Sequence, residues 1–188
     1  RLFVAEITND PTQLWTSTEI YQAAVDSEGL DVADIDLDGV DDIVGGGLWF
    51  KREIDGTYTP NVIDEGSPRT RTAVGQLIPG GRPEVVIDSG DGVGPLSWFQ
   101  WNGSTWVANE LVETSSFGHS LRIADMNGDG NLDIFAAEML SPENLDPFEN
   151  PGAITRLFIG DGAGGFDTEI VTIGVDSHES RVADLDGD

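Results

Sequence analysis

The chain has 188 residues, 38% of them apolar, enough for one globular core and not obviously enough for two. Nine basic against thirty-five acidic side chains leave a formal charge of −26, a field that repels nucleic acid and anionic membrane surfaces and argues against both as partners. There is no cysteine to build a disulfide framework, no signal peptide and no apolar run suited to membrane insertion.

With 24 Gly and 9 Pro, turns are frequent, and no segment sustains a helical period. Residues 1–26 read as two strands: RLF at Arg1, a turn closing at Trp15, and an alternating segment carrying Ile20. Residues 27–66 hold the string DIDLDGVDDIV at 34–44, then LWF at Leu48, Tyr58 and Ile63. Residues 67–114 repeat the strand units as SWF at Ser97, Trp106 and Leu111. Their loop, VGQLIPGGRPEVVI, has Gly75, Leu77 and Pro79 where the first acidic positions fall and Gly80 at the glycine position. Residues 115–174 restore the acidic string as DMNGDGNLDIF at 125–135, followed by RLF at Arg156, Phe166 and Ile170. Residues 175–188 read as one more strand and the start of another loop, DLDGD, on which the sequence stops; that stop reads as a cut through a longer protein.

The acidic strings carry a specific chemistry. Oxygen-bearing side chains fall at loop positions one, three, five and nine: Asp34, Asp36, Asp38 and Asp42, then Asp125, Asn127, Asp129 and Asp133. A glycine at position six, Gly39 or Gly130, permits the sharp turn that aims the next carbonyl, Val40 or Asn131, inward. Carboxylates about 5 Å apart repel by roughly 3 kcal/mol per pair at an effective dielectric near 20, so the loop requires a cation. Hard oxygen ligands in a flexible loop suit Ca2+. Asp184, Asp186 and Asp188 form half of a third set. An EF-hand requires a carboxylate at position twelve and flanking helices, but position twelve is Gly45 or Ala136 and the apolar, partly β-branched residues around it read as strand. An acidic surface turn without metal is the plainer alternative.

Loops starting at 34, 75, 125 and 184 leave room for four short strands per unit. That period predicts an all-β fold, a β-propeller of four-stranded antiparallel blades, here a partial ring of three full blades with partial blades at both ends. Strands are lettered A to D from the centre outward, so the acidic loop joins A to B. The loops and aromatic strands resemble FG-GAP or VCBS repeats, the calcium-binding propeller repeats of integrin heads and of many secreted bacterial proteins. HSLRIADMNGDG and HESRVADLDGD bring the chain nearer the bacterial type. The resemblance implies calcium in the A–B loops and a secreted, periplasmic or cell-surface location. It also implies an oligosaccharide or an extracellular protein as partner.

Alternation of strand direction puts the D–A and B–C connections on the face opposite the acidic loops, at the channel mouth. His119 and His178 each stand six residues before a loop, and Glu28 and Arg69 share that offset in the other units. They are the candidate ligand-binding residues, with the histidines as candidate acid–base groups and Arg69 as a carboxylate clamp. Hydrogen bonding between blades is the competing role. The longest B–C connection, residues 139–155, opens on the same face. Arg122 and Arg181 lie at odd offsets from the histidines and are expected to span blades. Trp15, Trp98, Trp101 and Trp106 offer sugar-stacking faces, although recurrence at structural positions assigns most of them to the core. Three functions stay open: a calcium-stabilised extracellular binding module, part of a polysaccharide lyase or related carbohydrate-active enzyme, and a structural spacer.

Overall fold

Short runs of β-branched and aromatic residues punctuated by Gly, Asp and Pro give fourteen strands among the described residues. The computed structural model describes residues 1–10, 12–22, 28–67, 70–140 and 152–183, and no described residue is helical. The first hairpin pairs β1 (Leu2–Glu6) with β2 (Thr16–Tyr21). Three four-stranded meanders come after it. The first blade is β3 (Asp31–Ala33), β4 (Asp42–Gly45), β5 (Leu48–Arg52) and β6 (Tyr58–Val62). The second is β7 (Arg71–Gly75), β8 (Glu84–Asp88), β9 (Val93–Trp101) and β10 (Trp106–Ser116). The third is β11 (Gly118–Ala124), β12 (Asp133–Glu138), β13 (Ile154–Gly160) and β14 (Phe166–Ile173). All pairings are antiparallel between sequence neighbours and no sheet closes into a barrel, the pattern of a partial propeller.

The core lies between blades, and strand parity decides which blade each side chain faces. In β8 every residue is buried, because successive side chains point to opposite faces and each face is covered. Val85 and Ile87 join Phe99 and Trp106 against Ile35, Val44, Trp49 and Ile63 of the first blade. Val86 joins Leu77, Leu96 and Trp98 against Leu121, Ile134, Ala136 and Phe158 of the third. Each fully buried aliphatic side chain contributes about 1.5–3 kcal/mol, so the second blade is held from both sides. Trp98 and Trp106 are thus core residues, whereas Trp15 is half exposed. Strands A approach closely near the centre: a Cβ on Gly29 would lie 2.6 Å from the Thr72 amide nitrogen.

Two expectations need correction. Residues 175–183 contain no strand, although a fifteenth was predicted there. Strands β3, β7 and β11 each pair only with the next strand in the chain, and residues 175–183 have no such partner among the described residues. The second correction is one of register. Gly75 pairs with Glu84 just as Ala33 pairs with Asp42 and Ala124 with Asp133. Loop position one of the second blade is therefore Gln76 rather than Gly75, and position six is Gly81. Its φ of 83° matches the 89° of Gly39 and of Gly130, in the left-handed region that glycine tolerates.

Candidate functional site

In the first loop, β3 delivers Asp34 to the turn, where its carboxylate accepts from the amides of Asp38 at 3.0 Å and Gly39 at 2.8 Å. Asp38 accepts from the amide of Val40. Carboxylate oxygens of Asp34, Asp36 and Asp42 lie within 4.8 Å of one another. The Lys51 ammonium, projecting from β5, contacts both Asp36 and, at 2.5 Å, Asp38. It stands where a cation is required, and its pKa is raised by the hydrogen bonds to Asp36 and Asp38. The Lys51 hydrogen bond holds Asp38 below the usual carboxylate range. Asp36 Oδ1 is buried and has no hydrogen-bond partner, so the monovalent ammonium leaves this donor set incompletely satisfied. An oxygen set with one orphaned buried carboxylate oxygen fits a hard cation.

The second acidic loop folds the same way. Asp125 accepts from Gly128 and Gly130, Asn127 pairs reciprocally with Asp129, and Asp129 also accepts from the amide of Asn131. Backbone donation to Asp129 keeps its pKa low. No lysine enters this loop. Asp184, Asp186 and Asp188 lie outside the described residues.

Position nine has a framework role that the sequence did not reveal. Asp42 accepts from the amides of Ile35 and Arg52, and Asp133 from those of Met126 and Gly160. Each carboxylate thereby ties its loop to the end of strand C. Glu84 occupies the same place in the second-blade loop, which lacks the acidic set, and accepts from the Ile78 amide at 3.1 Å. All three are buried, and burial pushes the carboxyl pKa of Asp42 and Glu84 up.

The other end of the A strands carries a polar cluster. His119 is the second residue of β11 and is only 3% exposed. Its Nδ1 lies 3.1 Å from the Arg71 guanidinium, and its Nε2 lies 2.8 Å from Asp91 Oδ1 in the β8–β9 turn. Arginine can only donate, so Nδ1 accepts and the ring proton sits on Nε2, directed at Asp91. Burial, with the neighbouring Arg71 and His178, lowers the His119 pKa against the opposing pull of Asp91. Glu28 lies 3.6 Å from Arg71 and 3.9 Å from His119 Nε2. Its pKa is raised by desolvation and then by its hydrogen bond to Asp91. Desolvation also acts on Asp91, but bonds from Glu28 and His119 outweigh it and lower its pKa. Exposed His178 packs its ring 4.9 Å from that of His119.

Glu28, His119 and His178 therefore come together, joined by Arg71 and Asp91, which sequence reasoning missed. Arg69 lies outside the described residues, as do residues 141–151 of the long connection. In the corrected register buried Thr70 shares the His119 position, and Arg71 supplies the cation expected of Arg69. Arg122 forms an ion pair with Glu179, tying the third blade to the segment after it. Arg181 lines a cleft of about 350 Å³ among strands A, beside Asp31, Thr72 and Ile123. Metal coordination by the Glu28, Asp91 and His119 group is disfavoured. A histidine bound to metal through Nε2 needs an acceptor for its Nδ1 proton, and Arg71 is none.

Stacked four-stranded antiparallel blades with A–B acidic loops define a propeller-type repeat protein. Residues 81–136, from the A–B turn of the second blade into β12, match the family model described as an FG-GAP-like repeat. That stretch is therefore similar to an FG-GAP-like repeat, and the match includes the second acidic loop. No curated protein and no solved structure matches the chain.

Proposed function

We propose that the chain is a calcium-stabilised extracellular interaction module that binds its partner, an oligosaccharide or an extracellular protein, at the rim opposite the acidic loops. The observation that carries the calcium reading is the convergence of Asp34, Asp36 and Asp42 with a buried Asp36 oxygen left unpartnered. Asp34, Asp36, Asp38 and Asp42 with the Val40 carbonyl would hold one ion; Asp125, Asn127, Asp129 and Asp133 with the Asn131 carbonyl would hold another. A bound calcium ion supplies the divalent charge that neutralises the crowded carboxylates. The repeat match and the lack, among the described residues, of any helix long and apolar enough to cross a membrane accord with an extracellular module.

The rim cluster favours a ligand site over a spacer. His119, buried and hydrogen-bonded to Arg71 and Asp91 of the second blade, fills the inter-blade role, so it is His178, with an open imidazole beside this cluster, that supports a ligand site. The same arrangement supports a second reading, part of a polysaccharide lyase or related carbohydrate-active enzyme. In it Arg71 faces a substrate carboxylate, His178 accepts a proton and Glu28, whose pKa burial raises, returns one. Comparing His119→Ala and His178→Ala for binding and turnover of acidic oligosaccharides separates the readings. Lost turnover with retained binding supports the enzyme, and lost binding alone supports the module. Unchanged binding and turnover in both variants contradicts a site at this rim.

A further inference from the structure

We infer that a groove between the first and second blades, floored by Trp49, Trp101 and Trp106 and headed by Arg82, is a binding site for an acidic saccharide. It measures about 300 Å³ and is completed by Asn61, Ser104 and Thr105. Arg82 occupies position seven of the loop that has lost its acidic set. Its guanidinium lies 4.5 Å from the Trp101 ring centroid and 5.7 Å from that of Trp49, while Trp101 meets Trp106 edge to face. Two indoles hold the planar fork in place.

The loss of acids explains why this cation is available. In a chain with 35 acidic residues, the equivalent loop of the first blade places carboxylates on Lys51. Here Gln76, Ile78 and Gly80 replace them, and among the described residues Arg82 has its ring contacts but no carboxylate partner. A fixed guanidinium selects a carboxylate on a ligand. The hydroxyl and amide side chains around it, set over an indole floor, suit a polyhydroxylated ring better than an acidic peptide.

The test is calorimetry of a uronic-acid oligosaccharide, its carboxyl-reduced neutral counterpart and an oligo-aspartate of equal charge, all at fixed free calcium. Wild type binds the uronate in preference to the other two. Arg82→Gln weakens binding by about tenfold or more, Arg82→Lys weakens it as well because it loses the planar fork, and Arg1→Gln, which removes a positive charge on the first hairpin, leaves it unchanged. An unaltered melting temperature shows that both Arg82 variants fold. Absent uronate binding, equal binding of the neutral sugar, tighter binding of oligo-aspartate, or binding insensitive to Arg82→Gln each overturns the inference. A response to His119→Ala alone assigns the ligand to the rim and likewise overturns it, without touching the proposed module.

Discussion

Asp42, Glu84 and Asp133 are equivalent carboxylate anchors at the foot of strand B, and only two of them belong to acidic loops. This equivalence explains how a blade forms without an acidic set: the backbone amides of the turn are satisfied by one buried carboxylate whether or not an ion is near. Burial raises the folded-state pKa of Glu84, so the folded protein binds its proton more tightly than the unfolded chain does. Its contribution to stability is therefore complete below the unfolded value, near pH 4, and is lost as pH rises through the folded value. Thermal unfolding of Glu84→Gln from pH 4 to 7 should show the variant gaining on wild type as pH rises; a constant gap would refute this. Lys51→Met should tighten calcium binding at the first loop by removing the competing ammonium, as measured by calorimetry. The acidic spacing was legible here because alternate Asp residues are hard to misplace. The position of Glu84 was not, since adjacent Gly80 and Gly81 gave two registers for one turn.

At the scale of strands, the recurring aromatics marked structure well: Tyr58, Trp106 and Phe166 each begin a D strand. An aromatic there packs at the blade edge after the C–D turn, which is why recurrence could be read as architecture. The fifteenth strand misled because a strand-like segment needs a ladder partner as well as an apolar pattern. Inter-blade parity makes a contrast that mutation can check. Ile134, wholly buried between the second and third blades, should cost about 2–5 kcal/mol on truncation to Ala. Ile170 on the outer strand β14, half exposed, should cost no more than about 0.5 kcal/mol. Denaturant unfolding of Ile134→Ala and Ile170→Ala measures both, and comparable losses would contradict a core placed between blades.

Across the whole molecule, the A strands separate two chemistries, with acidic loops at one end and the Glu28, Arg71, Asp91, His119 and His178 cluster at the other. In the third blade the separation is carried by β11, which begins beside His119 and runs directly into Asp125. The histidines were legible from their common offset, but Asp91 sits in a B–C turn with no repeated signal, and only tertiary packing brings it to His119. Calcium binding is the claim on which the module reading rests most heavily. Titration of the metal-free chain with calcium, followed by calorimetry and thermal unfolding, tests it. Two sites should bind, one lost in Asp34→Ala and the other in Asp125→Ala, and each should add about 2.7 kcal/mol at calcium 100-fold above its dissociation constant. No calcium-dependent rise in melting temperature, or a rise undiminished in both variants, would contradict the account.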